Sequence, residues 1–310
     1  MAIIDSARFN NLQSRIALIM GNGAGTNGYG QTTVSANVTS DGSDTVESRD
    51  INNIYTDMLK ARLHQIGPND LSIAEMTQNL NVVAEDESFF VDDNGNTTAD
   101  PDGAKKGITD FEDLITTIET DKFLVHTSQA SLESAINSVR TSNWNGLIFH
   151  EIAVTFTDED ARRHFFNTGG QIRFTASNTL ASTPKGLDWA ALASEIGTVV
   201  FNYDTTTSTG DGSGSAIGNY DLTGAYQSIY QKVGSGTYSG IYAGNLYTIK
   251  ARIDGNNRII FRIEFNDVVT DPAIDNNVDG RLESTVQQYR ATGSYVSVDS
   301  PSYFNENSLA

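Results

Sequence analysis

Near Asn143 the hydrophobic rhythm of this chain changes. Ahead of it, apolar residues recur every three or four positions, and from Asn145 onward they recur every second position. The first period lays an apolar stripe along a helix, and the second puts apolar side chains on one face of a strand. A chain carrying both, in that order, is expected to be α+β and mainly β. N-terminal helices and a Gly-rich arm would precede a largely antiparallel β domain. Three regions follow: a helical anchoring region at 1–75, an acidic loop with short helices at 76–143, and a β-rich domain at 144–310.

In the first region the spacing predicts a helix over residues 5–20. Phe9, Leu12, Ile16 and Ile19 share a face, while Asn10, Gln13 and Arg15 lie elsewhere. A helix this short is marginal alone in water. Its stripe must therefore pack, on the body of the protein or on a neighbouring subunit, and we expect these four residues to serve assembly. Residues Gly21–Gly30 hold a Gly-x-Gly pattern. A dinucleotide fingerprint needs a strand before the glycines and a helix after them, whereas here a helix comes first. The reading is an arm or a cluster of tight turns. A second helix is expected from Asp50 to Ile66, with Asp50 as N-cap, a stripe from Ile51 to Leu63, and Gly67-Pro68 as the stop. Leu71–Glu75 could add a short helix, 85–110 reads as a polar surface loop, and helical spacing returns at Asp110–Ile118 and Ser131–Arg140.

In the last region, strands are predicted at Ile148–Phe156, Gln171–Ser177, Val199–Tyr203, Leu246–Asp254, Arg258–Phe265, Glu283–Tyr289 and Tyr295–Val298. The clearest pair is 246–254 with 258–265. Ile259, Phe261, Ile263 and Phe265 share one face, and Asp254-Gly-Asn-Asn257 supplies the turn. Residues 204–219, rich in Thr, Ser and Gly, read as a loop.

Chemistry is sparse. The 310 residues include 20 basic and 39 acidic ones, a formal charge of −19. Such a surface repels phosphates and anionic lipid, which argues against nucleic acid and membrane partners. There is no cysteine, so no thiolate site or disulfide forms. The N-terminus lacks the basic and apolar segments of a secretory signal, and no run approaches the roughly 20 residues of a bilayer span. His64, His126, His150 and His164 fall at no metal-ligand spacing, and His64, late in its helix, would favour the dipole if charged. No nucleophile elbow appears. Asp275-x-Asn277-x-Asp279-Gly280 fits the first half of a calcium loop, so Asp275, Asn277 and Asp279 are the candidate ligands for Ca2+. The twelfth position is Val286 instead of Glu. Asp92-x-Asn94-x-Asn96 fits less well. The same clusters also read as turns whose side chains bond their own backbone. Tyr220, Tyr226, Tyr230, Tyr238, Tyr242 and Tyr247 suit β packing, or a sugar-binding surface.

Four stretches carry a resemblance. They are Arg8-Phe-Asn-Asn-Leu-Gln-Ser-Arg-Ile16 followed by Gly28-Tyr-Gly-Gln31; Tyr55-x-Asp57 through Arg62-x-His64-Gln65-x-Gly67; Arg163-His-Phe-Phe-Asn-Thr-Gly-Gly-Gln-Ile-Arg-Phe174; and Asn277-Val-Asp-Gly-Arg-Leu-Glu-Ser284 with Tyr289-Arg-Ala-Thr-Gly293 and Ser300-Pro-Ser-Tyr303. Together they resemble virion structural proteins of T4-like phages, cyanobacterial phages especially. The resemblance brings no catalytic residues. It implies a non-enzymatic virion component assembled in a host cytoplasm: a neck, tail or baseplate part, or a fibre adaptor. Its partners would be copies of itself and other virion proteins. A capsid decoration or vertex protein and a host-glycan-binding module are the alternatives.

Overall fold

A computed structural model of the protein describes residues 6–21, 28–39, 46–67, 89–91, 97–99, 108–269 and 277–309. The fold is α+β, and the chain divides into two compact units. The first comprises Met1–Ser131, Asn167–Gly169 and Ala291–Val298, and the second Leu132–Phe166, Gly170–Arg290 and Asp299–Ala310.

The first unit is built on three helices, α1 (Ser6–Met20), α2 (Ser48–Ile66) and α3 (Ile108–Thr120), with a small antiparallel hairpin, β1 (Phe89–Val91) and β2 (Thr97–Ala99). That hairpin replaces part of the loop expected over 85–110. Each helix turns an apolar face inward: Phe9, Leu12, Ile16 and Ile19 from α1; Ile51, Ile54 and Met58 from α2; Phe111, Ile115 and Ile118 from α3. Ion pairs line the seam between α1 and α3, Arg8 with Glu112 at 2.8 Å and Arg15 with Glu119 at 2.6 Å. The N-cap of α2 is Glu47, not Asp50. Asp50 stands three residues in and accepts the Glu47 N–H at 2.9 Å, the reciprocal half of a capping box. Gly67 ends the helix at φ 81°, where its N–H reaches the Leu63 carbonyl. The expected helix at 71–75 lies outside the described residues.

Residues 28–39 run across this unit as a strap without regular structure, held by side chains. Asp57 accepts the N–H groups of Val34 and Ser35 at 3.0 and 2.9 Å. Asn10 exchanges two hydrogen bonds with the Val38 backbone, both 2.9 Å, as a neighbouring strand would.

The second unit contains α4 (Glu159–Asn167), α5 (Pro184–Ile196) and most of the strands. After β3 (Ala130–Leu132) come β4 (Ile136–Arg140), β5 (Leu147–Thr155), β6 (Gln171–Thr179), β7 (Val199–Phe201), β8 (Thr206–Ser208), β9 (Gln227–Val233), β10 (Leu246–Ile253), β11 (Arg258–Asn266), β12 (Arg281–Ala291) and β13 (Ser302–Asn307). One sheet has the order β13-β5-β11-β10-β9, the other β3-β12-β6-β7-β8 with β4 also on β12. Phe174 of β6 and Phe201 of β7 meet Phe261 of β11 with centroids 5.0 and 5.1 Å apart, so the two sheets pack face to face.

The expected central hairpin is present, with Ile253 opposite Ile259 and Gly255 in the turn at φ 72°. Its four inward residues, Ile259, Phe261, Ile263 and Phe265, are fully buried. Three further expectations fail. Residues 131–140 are strand, not helix, because β4 pairs with β12 and the pairing overrides a spacing compatible with either period. Residues 204–219 include β8, paired to β7, so they are more than loop. Tyr295–Val298 forms no strand: Ser297 makes only an isolated bridge with Thr292, and the last strand is β13.

Candidate functional site

The most suggestive constellation lies inside the second unit. His150 of β5 places Nδ1 3.0 Å from Ser284 Oγ of β12 and Nε2 2.9 Å from Asn305 Oδ1 of β13. A hydroxyl, an imidazole and an orienting amide in sequence are the parts of a nucleophilic relay. With Nε2–H donating to Asn305, Nδ1 is free to accept the Ser284 hydroxyl proton. A nucleophile must also meet substrate, and His150 and Ser284 are both 0% exposed. Burial lowers the His150 pKa, opposed by the bond to Asn305, so the ring is neutral with both nitrogens satisfied. What this arrangement does is tie the two sheets together. The sequence offered one signal for it, a histidine inside a mostly apolar strand, since a buried polar ring needs partners.

Replacing His150 by Leu is expected to cost about 1–3 kcal/mol, because it strands the fully buried Ser284 hydroxyl, while the half-buried Asn305 amide can turn to water. Urea unfolding followed by the fluorescence of Trp144 and Trp189 measures it. A Leu variant as stable as the parent would show that the ring is no tie.

Two of the three candidate calcium ligands, Asn277 and Asp279, are among the described residues. Asp279 accepts from four donors, the Ser182 N–H (2.9 Å) and hydroxyl (2.6 Å) and the Thr183 N–H (3.2 Å) and hydroxyl (2.6 Å). Burial works to raise its pKa, but these bonds outweigh it and hold the group at about 2. Thr183 is the N-cap of α5, accepting from Gly186 N–H at 3.1 Å, so Asp279 braces the start of that helix. Asn277 is exposed, and Asp275 lies outside the described residues, as do Asp92, Asn94 and Asn96. Among the described residues no three His, Asp or Glu side chains gather as a metal site.

The four expected assembly residues are also accounted for within the chain. Phe9, Leu12, Ile16 and Ile19 are at most 3% exposed inside the helical unit, so the stripe offers no free face to a neighbour. Of the six tyrosines, Tyr230, Tyr242 and Tyr247 are buried and Tyr238 is exposed, which favours packing over a sugar-binding row. His64 is buried, and its pKa is lowered to about 4 by desolvation against the pull of the Thr168 carbonyl. It is therefore neutral, so the helix-end interaction open to a charged ring does not arise. His126 accepts the Ser128 N–H at the start of a single helical turn, and His164 is shifted down by partial burial.

A further buried pair escaped sequence reading. Lys185 Nζ lies 2.6 Å from Asp267 Oδ2 with both side chains 0% exposed. Nζ also donates to the Val269 carbonyl at 2.5 Å. A lysine in the first turn of a helix ordinarily signals solvent, and nothing in its spacing revealed a partner 82 positions on.

In the first unit, residues from three of the resembling stretches are bonded to one another. Gln65 Nε2 donates to the Tyr29 hydroxyl (3.0 Å), Asn167 Nδ2 to the Gly28 carbonyl (2.8 Å), and His64 Nε2 to the Thr168 carbonyl (3.0 Å). The Tyr29 and His64 rings lie 5.2 Å apart.

The fold and these ties define an α+β protein with a helical unit and a two-sheet β unit, in which the buried polar side chains described above bond to other parts of the same chain. No known family matches the chain, and no curated protein or solved structure is similar to it.

Proposed function

We propose that the protein is a non-enzymatic structural component of a bacteriophage virion, on the tail side: a neck, tail or baseplate part, or a fibre adaptor. One observation carries the reading beyond the sequence resemblance itself. Gly28–Gln31, Arg62–Gly67 and Arg163–Phe174, far apart in the chain, supply mutual hydrogen-bond partners at buried positions. Motifs shared by chance would scatter, whereas motifs that preserve a fold converge. The converging residues are also badly placed to meet a substrate: Tyr29, His64, Asn167 and Thr168 are at most 1% exposed. They brace a shape, as a part that works by contact requires.

The test is location. An antibody raised against the purified protein, applied to intact phage particles under the electron microscope, is expected to label the tail or neck. Absence of the protein from purified particles by mass spectrometry would refute the proposal, and label confined to the capsid would move the protein to the decoration class.

A further inference from the structure

We propose that Asn145 is a site of spontaneous deamidation, at which the protein converts one of its own side-chain amides into a carboxylate. Asn145-Gly146 forms the bend that leads into β5. The Asn145 side chain is exposed, and among the described residues nothing bonds it. None of them accepts the Gly146 N–H either. Gly146 stands at φ 74°, and a Cβ on it would meet no heavy atom within 4 Å. That angle is the reason for a glycine here, because a residue with a Cβ is strained in it. The same glycine leaves its nitrogen open to the carboxamide beside it.

The reaction needs only water. The Gly146 nitrogen gives its proton to hydroxide and attacks Asn145 Cγ. The N–Cγ bond forms, the Cγ–Nδ2 bond breaks, and Nδ2 leaves as ammonia with a proton from water, which restores the hydroxide. The product is a cyclic succinimide. Water then opens the ring at either carbonyl. Opening at Cγ gives aspartate, and opening at the backbone carbon gives isoaspartate, in which the chain runs through Cβ. One water is consumed and one ammonia released, with no oxidation or reduction.

The surroundings select this position. Asn143 is exposed as well, but its nucleophile would be the Trp144 N–H, which donates to the Val278 carbonyl at 3.1 Å. Aspartate followed by glycine occurs within the described residues at Asp211, Asp254 and Asp279. A carboxylate is a poor electrophile, and these three are also held: Asp211 lies 3.6 Å from Lys232, Asp254 pairs with Arg252 and Arg258, and Asp279 accepts from Ser182 and Thr183. The product strains its neighbours. Trp144 is pinned to Val278 by bonds of 3.1 and 2.7 Å, and the Gly146 carbonyl accepts the Asp267 N–H at 2.9 Å. Isoaspartate inserts a backbone methylene between these two anchors, so one of them must give. Either product adds a negative charge to a chain already at −19.

This site goes beyond the virion reading and rests on no part of it. The test ages the purified full chain at pH 7 and pH 9 and follows the tryptic peptide Thr141–Arg162 by fragment mass spectrometry. The exchange of amide for acid is expected at Asn145 and not at Asn143, and sooner at pH 9, because hydroxide generates the nucleophile. Asn145→Gln should abolish it, since the longer side chain closes a ring poorly, and Asn143→Gln should leave it unchanged. Hydrogen exchange at Val278 or Asp267 should quicken in the aged protein and not in the aged Asn145→Gln variant. A folded chain that stays unmodified at Asn145, whether or not the urea-unfolded chain reacts, would overturn the proposal. Equal modification at Asn143 would overturn the selectivity argued from the Trp144 bond. Unchanged exchange at both Val278 and Asp267 in a modified sample would overturn the strain. Particle labelling reads none of these outcomes, so the two proposals can fail separately.

Discussion

Replacing Lys185 alone by Met is expected to cost about 3–5 kcal/mol, the largest loss from any single substitution considered, because it leaves the Asp267 carboxylate buried without its cation. Both side chains are 0% exposed, and the ammonium sits 2.6 Å from one carboxylate oxygen. Burial already raises the Asp267 pKa, with the Lys185 charge and hydrogen bond opposing the rise. Without the cation the acid keeps its proton to higher pH, so the variant loses more stability as pH rises through that raised value. The double variant Lys185→Met with Asp267→Leu removes the orphaned charge and should recover most of the loss. Urea unfolding of the parent, both singles and the double closes the cycle. A single variant within about 1 kcal/mol of the parent would mean the pair is solvated and holds nothing. Its position gives the pair a second consequence. It fixes the first turn of α5 to the end of β11, and Asp188 in the next turn carries the backbone of Tyr238 and Ser239. Loss of the pair should therefore also speed hydrogen exchange at Tyr238 and Ser239 in the folded protein.

Elements were legible wherever one period ran long enough to exclude the other. α1, α2 and the β10–β11 hairpin each repeat an apolar face several times with a stop signal beside them, and all three are found at the expected places. Residues 131–140 failed because Leu132, Ile136 and Val139 satisfy a helical spacing, while their strand character comes from β12, about 145 residues away. The helix α5 was missed although Thr183-Pro184 opens it well. Its inward face includes Lys185 and Asp188, which binary patterning reads as solvent-facing. Asp279 illustrates the same limit from the other side. Its neighbours Asn277 and Gly280 made a plausible cation loop, and the competing partners, Ser182 and Thr183, lie nearly a hundred residues upstream. Local chemistry was visible, and the long-range partner that decided its use was not.

Acid is expected to destabilise the helical unit well above the pH at which its carboxylates protonate, through His64. The Nε2–H of this ring donates to the Thr168 carbonyl at 3.0 Å, Nδ1 is buried with no partner, and the Tyr29 ring lies 5.2 Å away. Desolvation lowers its pKa to about 4, against an ordinary value near 6.5. The folded-state value is the lower one, so the unfolded chain takes up the proton first. Stability from this site is whole above about pH 6.5 and is lost as pH falls toward 4, by about 3 kcal/mol in full and about 2 kcal/mol by pH 5. His150, also shifted down by burial, adds to the loss in the same direction when both units unfold together. His64→Gln can keep a donor toward Thr168 and cannot take up the proton. The stability difference between parent and this variant should be constant above pH 7 and shrink by about 2 kcal/mol at pH 5. Urea unfolding followed by helical circular dichroism at pH 7, 6 and 5 reads it, and parallel pH profiles for the two proteins would remove His64 from the account. The site stands where the resembling stretches meet, through Gln65 on Tyr29 and Asn167 on Gly28. A proton on His64 would have no acceptor for its new N–H at Nδ1, so the strap at residues 28–39 should gain hydrogen exchange at pH 5 before the sheets do. The order of that loss, strap before sheet, separates a local histidine effect from general acid unfolding.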